Sequence, residues 1–214
     1  MSADDKAAEF KKMVRTGMLH HESVYLLNTL AQKLRESDEM GGRDSRDRTL
    51  KSIEVRDQDL IMTMKPSDLL LDLRAGEATE LGYLVSASVL RALAIEILLK
   101  ALIYKKDGSL QEPGDLMKLS KKLGDLHNLK FLFDKLIEVS DAQTRKQIKD
   151  LETQYEMDLG QTLEKHKQDF IGWRYVYEAE SRSSEISNLE KVLKILHTLI
   201  WYEREQDRSG VSSP

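Results

Sequence analysis

Apolar residues recur every three or four positions over most of the chain, the spacing of a helix with one buried face. The longest such run covers residues 77–104, where Leu, Ile, Val and Ala occupy most of the helix circumference. A helix that is apolar nearly all round is the central element of a bundle. Lys105, Lys106 and then Gly108 predict where it ends. The pattern therefore predicts an all-α fold built round this helix.

Shorter helical patterns precede the central helix. The spacing predicts one helix over residues 3–14 and, after Gly17, a second one to residue 34 that starts at Ser23 or continues from Met18. The first 75 residues therefore resemble a helical extension of the bundle.

Further helical patterns follow the central helix. We expect one helix from about residue 126 and another capped by Asp141. A third starts at Thr162 and carries its apolar face to Trp173, and residues 183–185 open the last helix, which ends near residue 206. The short connections imply an up-and-down bundle with mostly antiparallel neighbours.

One segment departs from helical periodicity. Residues 37–49 contain two adjacent glycines and mixed charge, which predicts a flexible loop. Over residues 50–64 the apolar positions alternate, which favours a short hairpin, although a distorted helix fits the same residues. We expect an irregular insertion near residues 38–65.

Composition and charge narrow the chemistry. The chain has 214 residues and no cysteine, which excludes disulfide scaffolds, thiolate metal sites and cysteine nucleophiles. The net charge of −4 argues against a protein that wraps duplex DNA over its whole surface. Residues 100–149, however, carry 11 Lys and Arg against 7 Asp and Glu, a balance that can attract phosphate or form an ordinary solvated surface.

The remaining general predictions rest on missing patterns. The N-terminus lacks an apolar signal-peptide core, and charges interrupt the most apolar stretch, so we expect a cytoplasmic protein without a membrane segment. Phosphate-loop, dinucleotide-binding and metalloprotease motifs are missing, and no two histidines lie three or four residues apart. No cofactor and no metal is predicted.

Glu96 and Lys100 interrupt the central apolar helix four residues apart, so they share a face. They predict either a polar site in a cleft between helices or a solvent-facing ion pair. His127 and Asn128 follow a lysine-rich turn. This pair predicts either the cap of the next helix or a contact to phosphate.

Aromatic residues crowd residues 170–177, close to a histidine and an arginine. An arginine beside tryptophan and tyrosine can stack on a base and bind phosphate, although the same residues suit a helix end packed on the bundle with an internal Arg–Glu pair. The candidate ligand-binding residues of this segment are His166, Trp173, Arg174, Tyr177 and Glu178.

Three of these features occur in a familiar order. Glu96, three residues, Lys100 and Ala101 are followed by His127-Asn128-Leu129 and later by Arg174-Tyr175. Over residues 77–205 this order resembles the HEPN superfamily of helical bundles. The resemblance implies a HEPN-like bundle over residues 76–207. It does not cover residues 1–75, which the helical pattern predicts to be an extension with a flexible loop, and the polar residues 208–214 predict a disordered tail.

The resemblance also implies function. Many HEPN proteins are dimeric, metal-independent ribonucleases of toxin or antiviral defence systems, and others bind nucleotides or proteins without catalysis. Catalytic members carry an Arg and a His with four to six residues between them on a late helix, whereas no histidine follows Arg174 until His197. We therefore expect a non-catalytic homodimeric module that binds a nucleotide, RNA or a partner protein. A ribonuclease using His166 and Arg174, and a purely structural bundle, are the alternatives.

Overall fold

The computed structural model describes residues 3–40, 53–56, 59–62, 75–110, 127–167, 182–184 and 186–209. The predicted all-α class is confirmed, because this part of the chain consists mainly of six helices. They are α1 (Ala3–Met40), α2 (Ala75–Lys106), α3 (Leu129–Val139), α4 (Ala142–Gln154), α5 (Leu159–Lys165) and α6 (Ile186–Ser209). Three short strands complete the described elements: β1 (Ile53–Arg56), β2 (Asp59–Met62) and β3 (Arg182–Ser184). No described helix is long and apolar enough to cross a membrane.

The chain divides into two compact units. The first comprises Met1–Met18, Ala94–Lys167 and Glu190–Pro214, and the second comprises Leu19–Leu93 and Gln168–Leu189. The long helices α1, α2 and α6 each contribute one part to each unit. The helices α3, α4 and α5 belong entirely to the first unit, and the three strands to the second.

The C-terminal half of α2 is the centre of the first unit. From residue 94 to residue 104, every side chain except Ile97 and Lys100 is buried. Burial of a leucine or isoleucine side chain contributes about 1.5–3 kcal/mol, so this segment is a major source of stability. The prediction of a central helix that is buried on most sides is confirmed.

The predicted break between two N-terminal helices is wrong, because α1 continues through Gly17. A Cβ atom on Gly17 would lie 2.6 Å from Leu98 Cδ2, so the glycine allows α1 to approach α2 closely. Lys6 Nζ donates to the Asp107 carbonyl over 3.0 Å at the other end of this contact. In the first unit, α1 therefore runs antiparallel to α2.

Side-chain caps define the start of each helix from α3 to α5. The predicted cap at Asp141 is confirmed, since its carboxylate accepts from the Thr144 N–H over 2.7 Å. The predicted start at Thr162 is wrong, because Asp158 caps α5 and the helix begins at Leu159. That helix also ends at Lys165 and does not continue toward residue 173 as predicted. Residues 168–181 lie outside the described part of the chain.

The strands form one antiparallel sheet in the order β1-β2-β3. The pair β1 and β2 confirms the hairpin that alternation favours over residues 50–64. Ser183 and Ser184 do not open the last helix as predicted, because they pair with Ile61 and Leu60 of β2. The last helix, α6, begins at Ile186. Serine suits both a helix cap and a strand edge, and the pairing with β2 decides between them.

Candidate functional site

One face of α2 carries the acid and the base that interrupt its apolar sequence. Glu96 and Lys100 are one helical turn apart, and Lys100 Nζ donates to Glu96 Oε1 over 2.6 Å. Glu96 is only 3% exposed, whereas the Lys100 side chain is 18% exposed. The pair is therefore not the solvent-facing one of the alternative interpretation. Its carboxylate lies in the core and its ammonium lies near the surface.

The second oxygen of the same carboxylate holds His127. Its Nδ1 lies 2.9 Å from Glu96 Oε2. A carboxylate only accepts hydrogen bonds, so Nδ1 carries a proton and donates it. The imidazole is thereby fixed in one orientation, while its side chain remains 38% exposed. We refer to Glu96, Lys100 and His127 as the Glu96 cluster.

The residue after His127 fixes where the cluster meets α3. The Asn128 side chain caps α3 by accepting from the Phe131 N–H over 3.0 Å. Asn128 is therefore the cap of α3, whereas the His127 ring contacts Glu96. The backbone N–H of Leu129 donates to the Lys167 carbonyl over 3.0 Å, which connects the start of α3 to the turn after α5. Two independent hydrogen bonds thus hold the backbone next to His127.

His166 has a different place from the one that its sequence neighbours predict. It follows the last residue of α5, and its backbone N–H donates to the Thr162 carbonyl. Its side chain is buried. Trp173, Arg174, Tyr177 and Glu178 lie outside the described residues, so their predicted roles in ligand binding stay predictions.

A second polar cluster on α2 was not predicted from the sequence. Lys106 Nζ lies 2.6 Å from Glu203 Oε1 of α6 and 3.0 Å from Asp141 Oδ2 at the start of α4. We refer to these three residues as the Lys106 cluster. Only the Asp141 cap had a signal in the sequence. Nothing local links Lys106 to Glu203.

The Lys106 cluster shifts the pKa values of two of its members. Burial alone would raise the pKa of the Asp141 carboxyl, but hydrogen bonds from Thr144 and the Lys106 ammonium lower that pKa to about 2. Burial likewise disfavours the charged form of Lys106. Its hydrogen bonds and attraction to Glu203 and Asp141 outweigh burial and raise the pKa of Lys106. Asp141 and Lys106 are therefore both charged at neutral pH.

The two clusters differ in what they can bind. The Lys106 ammonium points at two carboxylates and is almost buried, so it serves the fold. The Glu96 cluster instead holds two partly exposed, cation-forming side chains, Lys100 (18%) and His127 (38%), with one buried carboxylate behind them. Within the described residues, no three His, Asp or Glu side chains lie together as metal ligands. The chemistry of the Glu96 cluster suits recognition of an anion.

No protein-family model, curated protein or solved structure matches the chain. The part of the chain that the structure describes consists mainly of six helices.

Proposed function

We propose that the protein is a HEPN-like, non-catalytic binding module that recognises the phosphate group of a nucleotide or an RNA through the Glu96 cluster. The observation that carries the proposal is the double contact of one buried carboxylate. Glu96 uses one oxygen for Lys100, at 2.6 Å, and the other for His127, at 2.9 Å.

This double contact is what phosphate recognition requires. A phosphate group is bound best by charged donors that are oriented before it arrives, because less entropy is then lost on binding. Lys100 is a cation, and His127 becomes one when protonated. The buried carboxylate restricts the rotamers of both side chains, and both are partly exposed. A dissolved phosphate can therefore approach them.

The order of motifs along the chain also supports the proposal. Glu96, Lys100 and His127 belong to the first two elements of the HEPN resemblance, and they meet in space although 31 residues separate Glu96 from His127. The third element contains Arg174, whose guanidinium is suited to a forked contact with phosphate.

Ligand titration tests the proposal. Purified protein is titrated with adenosine and guanosine nucleotides and with a fluorescein-labelled single-stranded RNA, at two salt concentrations. We expect Lys100→Gln and His127→Gln each to weaken binding at least about tenfold, and binding to weaken with salt.

The chain offers a matched control for this titration. Lys130 and Asp134 form another i, i+4 ion pair, on α3, with an acid that is largely exposed. Lys130→Gln removes the same charge and should leave the affinity unchanged. Binding that is equally sensitive to Lys130→Gln, or no binding of any of these ligands, would overturn the proposal.

One observation favours metal-independent ribonuclease activity as the second candidate. A carboxylate that accepts from Nδ1 of a histidine is the arrangement that orients a general base, and Glu96 and His127 have it. Incubation of labelled RNA with the protein in EDTA tests this candidate. Cleavage that is abolished by His127→Ala and by Arg174→Ala would establish it, and cleavage that persists in both variants would assign the activity to a contaminant.

A further inference from the structure

In the second unit, α1 exposes two leucines on the side opposite its buried face. His21, Val24 and Ala31 are buried, and they lie on one side of the helix. On the other side Leu19 is 53% exposed and Leu26 is 61% exposed. Glu22, Thr29 and Lys33 lie on the same outward side and are also exposed. We refer to Leu19, Glu22, Leu26, Thr29 and Lys33 as the outward stripe.

The spacing of the outward stripe is that of a helix–helix seam. Positions 19, 22, 26, 29 and 33 alternate steps of three and four, so they are successive a and d positions of a heptad repeat. The one hydroxyl of the stripe is already bonded, since Thr29 Oγ1 donates to the Tyr25 carbonyl over 2.8 Å. The hydroxyl would therefore keep its hydrogen bond if another helix covered this position.

We propose that the outward stripe is a self-association surface, on which the same helix of a second copy packs in the antiparallel direction. The occupant follows from the charges. In one antiparallel arrangement, Glu22 lies opposite Lys33 of the second copy, and the symmetry axis repeats this contact. The residue numbers of any two facing positions then add up to 55. Leu26 then lies opposite Thr29, which is the a-to-d layer of an antiparallel pair.

Other arrangements of two copies fit the charges less well. A parallel pair in register places Glu22 beside Glu22 and Lys33 beside Lys33, and like charges at facing positions repel. The stripe is also narrower than a standard interface, which buries about 800 Å² on each partner. We therefore expect a reversible dimer with a dissociation constant in the micromolar range or weaker.

A charge swap tests the register. The oligomeric state of the full chain is measured by sedimentation velocity over a range of concentrations. Glu22→Lys and Lys33→Glu should each weaken the dimer at least about tenfold, and the double variant E22K/K33E should restore it. Leu26→Ser should also weaken it, whereas Trp201→Ser, at an exposed position on α6, should not. Circular dichroism checks that each variant is folded.

The absence of native cysteines allows a second test. Glu22→Cys and Lys33→Cys proteins are oxidised separately and as a mixture. In the proposed register, two copies of the same cysteine lie about 16 Å apart along the helix axis, too far for a disulfide, whereas the mixed pair faces each other. The mixture alone should therefore give a covalent dimer.

Three results would overturn the proposal. The first is a chain that stays monomeric at every concentration. The second is a dimer that Leu26→Ser leaves intact, because another surface then holds it. The third is a register other than the proposed one, shown either by a double variant E22K/K33E that remains as weak as the single ones or by separate cysteine samples that cross-link as well as the mixture.

Discussion

Two polar clusters on α2 contain similar residues but differ in which charge is buried. The Glu96 cluster and the Lys106 cluster each contain a lysine of α2 and a glutamate with a nearly buried side chain. In the Lys106 cluster, the lysine side chain is only 10% exposed and lies between two carboxylates from different elements. In the Glu96 cluster, the carboxylate lies in the interior and both of its partners reach toward solvent.

The comparison shows that burial determines which charges are enclosed by the fold and which remain accessible to solvent. The Lys106 ammonium joins α2, α4 and α6, so its interactions are saturated within the chain. Glu96 cannot contact a solute, but it determines where Lys100 and His127 point. Burial of the acid behind the bases leaves Lys100 and His127 partly exposed, as the proposed anion site needs, whereas the two acids around Lys106 enclose the base.

Removal of the buried acid from the Lys106 cluster should have the largest effect on stability. Glu203→Gln leaves the Lys106 ammonium buried with one charged partner, and we expect a loss of about 3 kcal/mol in the free energy of unfolding. Urea unfolding measures it. Glu205→Gln is the control, because the Glu205 ion pair with Arg208 is exposed and should contribute less than about 0.5 kcal/mol. Equal losses in the two variants would show that Lys106 is not clamped.

Removal of the charge behind the surface site should have a smaller effect. In Glu96→Gln, the amide lacks the negative charge and has one acceptor oxygen for the two donors, Lys100 and His127. We expect a loss of about 1.5 kcal/mol, because the exposed part of either side chain can be hydrated instead. Thermal and urea unfolding measure it, with Asp134→Asn of the exposed pair on α3 as control. A loss no greater than that of the control would contradict the buried role of Glu96.

The unfolding free energy at acidic pH distinguishes the Lys106 cluster from the Glu96 cluster. The pKa of Asp141 is lowered from 3.8 to about 2, so its stabilising effect is complete at neutral pH and is lost as the pH falls from about 3.8 toward 2. We expect this part to amount to about 1 kcal/mol, since the Asp141 side chain is 42% exposed and solvent screens it. Asp141→Asn keeps a capping oxygen, and its unfolding free energy should fall less steeply in this window. An unchanged slope between the two proteins would refute the assignment.

The smallest effect on stability is expected at the most exposed member of the surface site. His127→Gln should change the free energy of unfolding by less than about 0.5 kcal/mol, because the glutamine amide can donate to Glu96 in place of the ring N–H. The same variant should weaken nucleotide or RNA binding. Unfolding and titration on one preparation compare the two effects. A large loss of stability would move His127 from ligand recognition to the support of the fold.

Much of the fold follows from local signals in the sequence. The apolar circumference of α2 predicts a buried central helix, and Asp141 predicts the cap that the structure has. The errors have local causes too. Gly17 looks like a helix break unless its contact with Leu98 is known, and Asp158 is an equally good cap upstream of Thr162. The hairpin of β1 and β2 is visible as alternation, whereas β3 has no pattern of its own.

The candidate site divides in the same way. The i, i+4 spacing of Glu96 and Lys100 is a property of the helix, so the sequence alone predicts that they share a face. Whether that face is buried depends on what packs against it, and the sequence left this open. The contact of His127 with Glu96 depends on the path of the chain between α2 and α3. Asn128 was one of two candidates for the cap, and only the structure distinguishes it from His127.

The sequence by itself determined the helical class, the central position of α2 and the set of side chains that could carry chemistry, because periodicity and residue type act over one or two turns. The tertiary structure alone decided which charges meet. Lys106 finds Glu203 nearly a hundred residues away, and Glu96 finds His127 across a connection. Such pairs depend on burial and on chain path, and neither is written in local spacing. Two lysines of the same helix therefore have different surroundings: Lys106 is enclosed by two carboxylates at one end of the α2 core segment, and Lys100 is partly exposed nearer its middle.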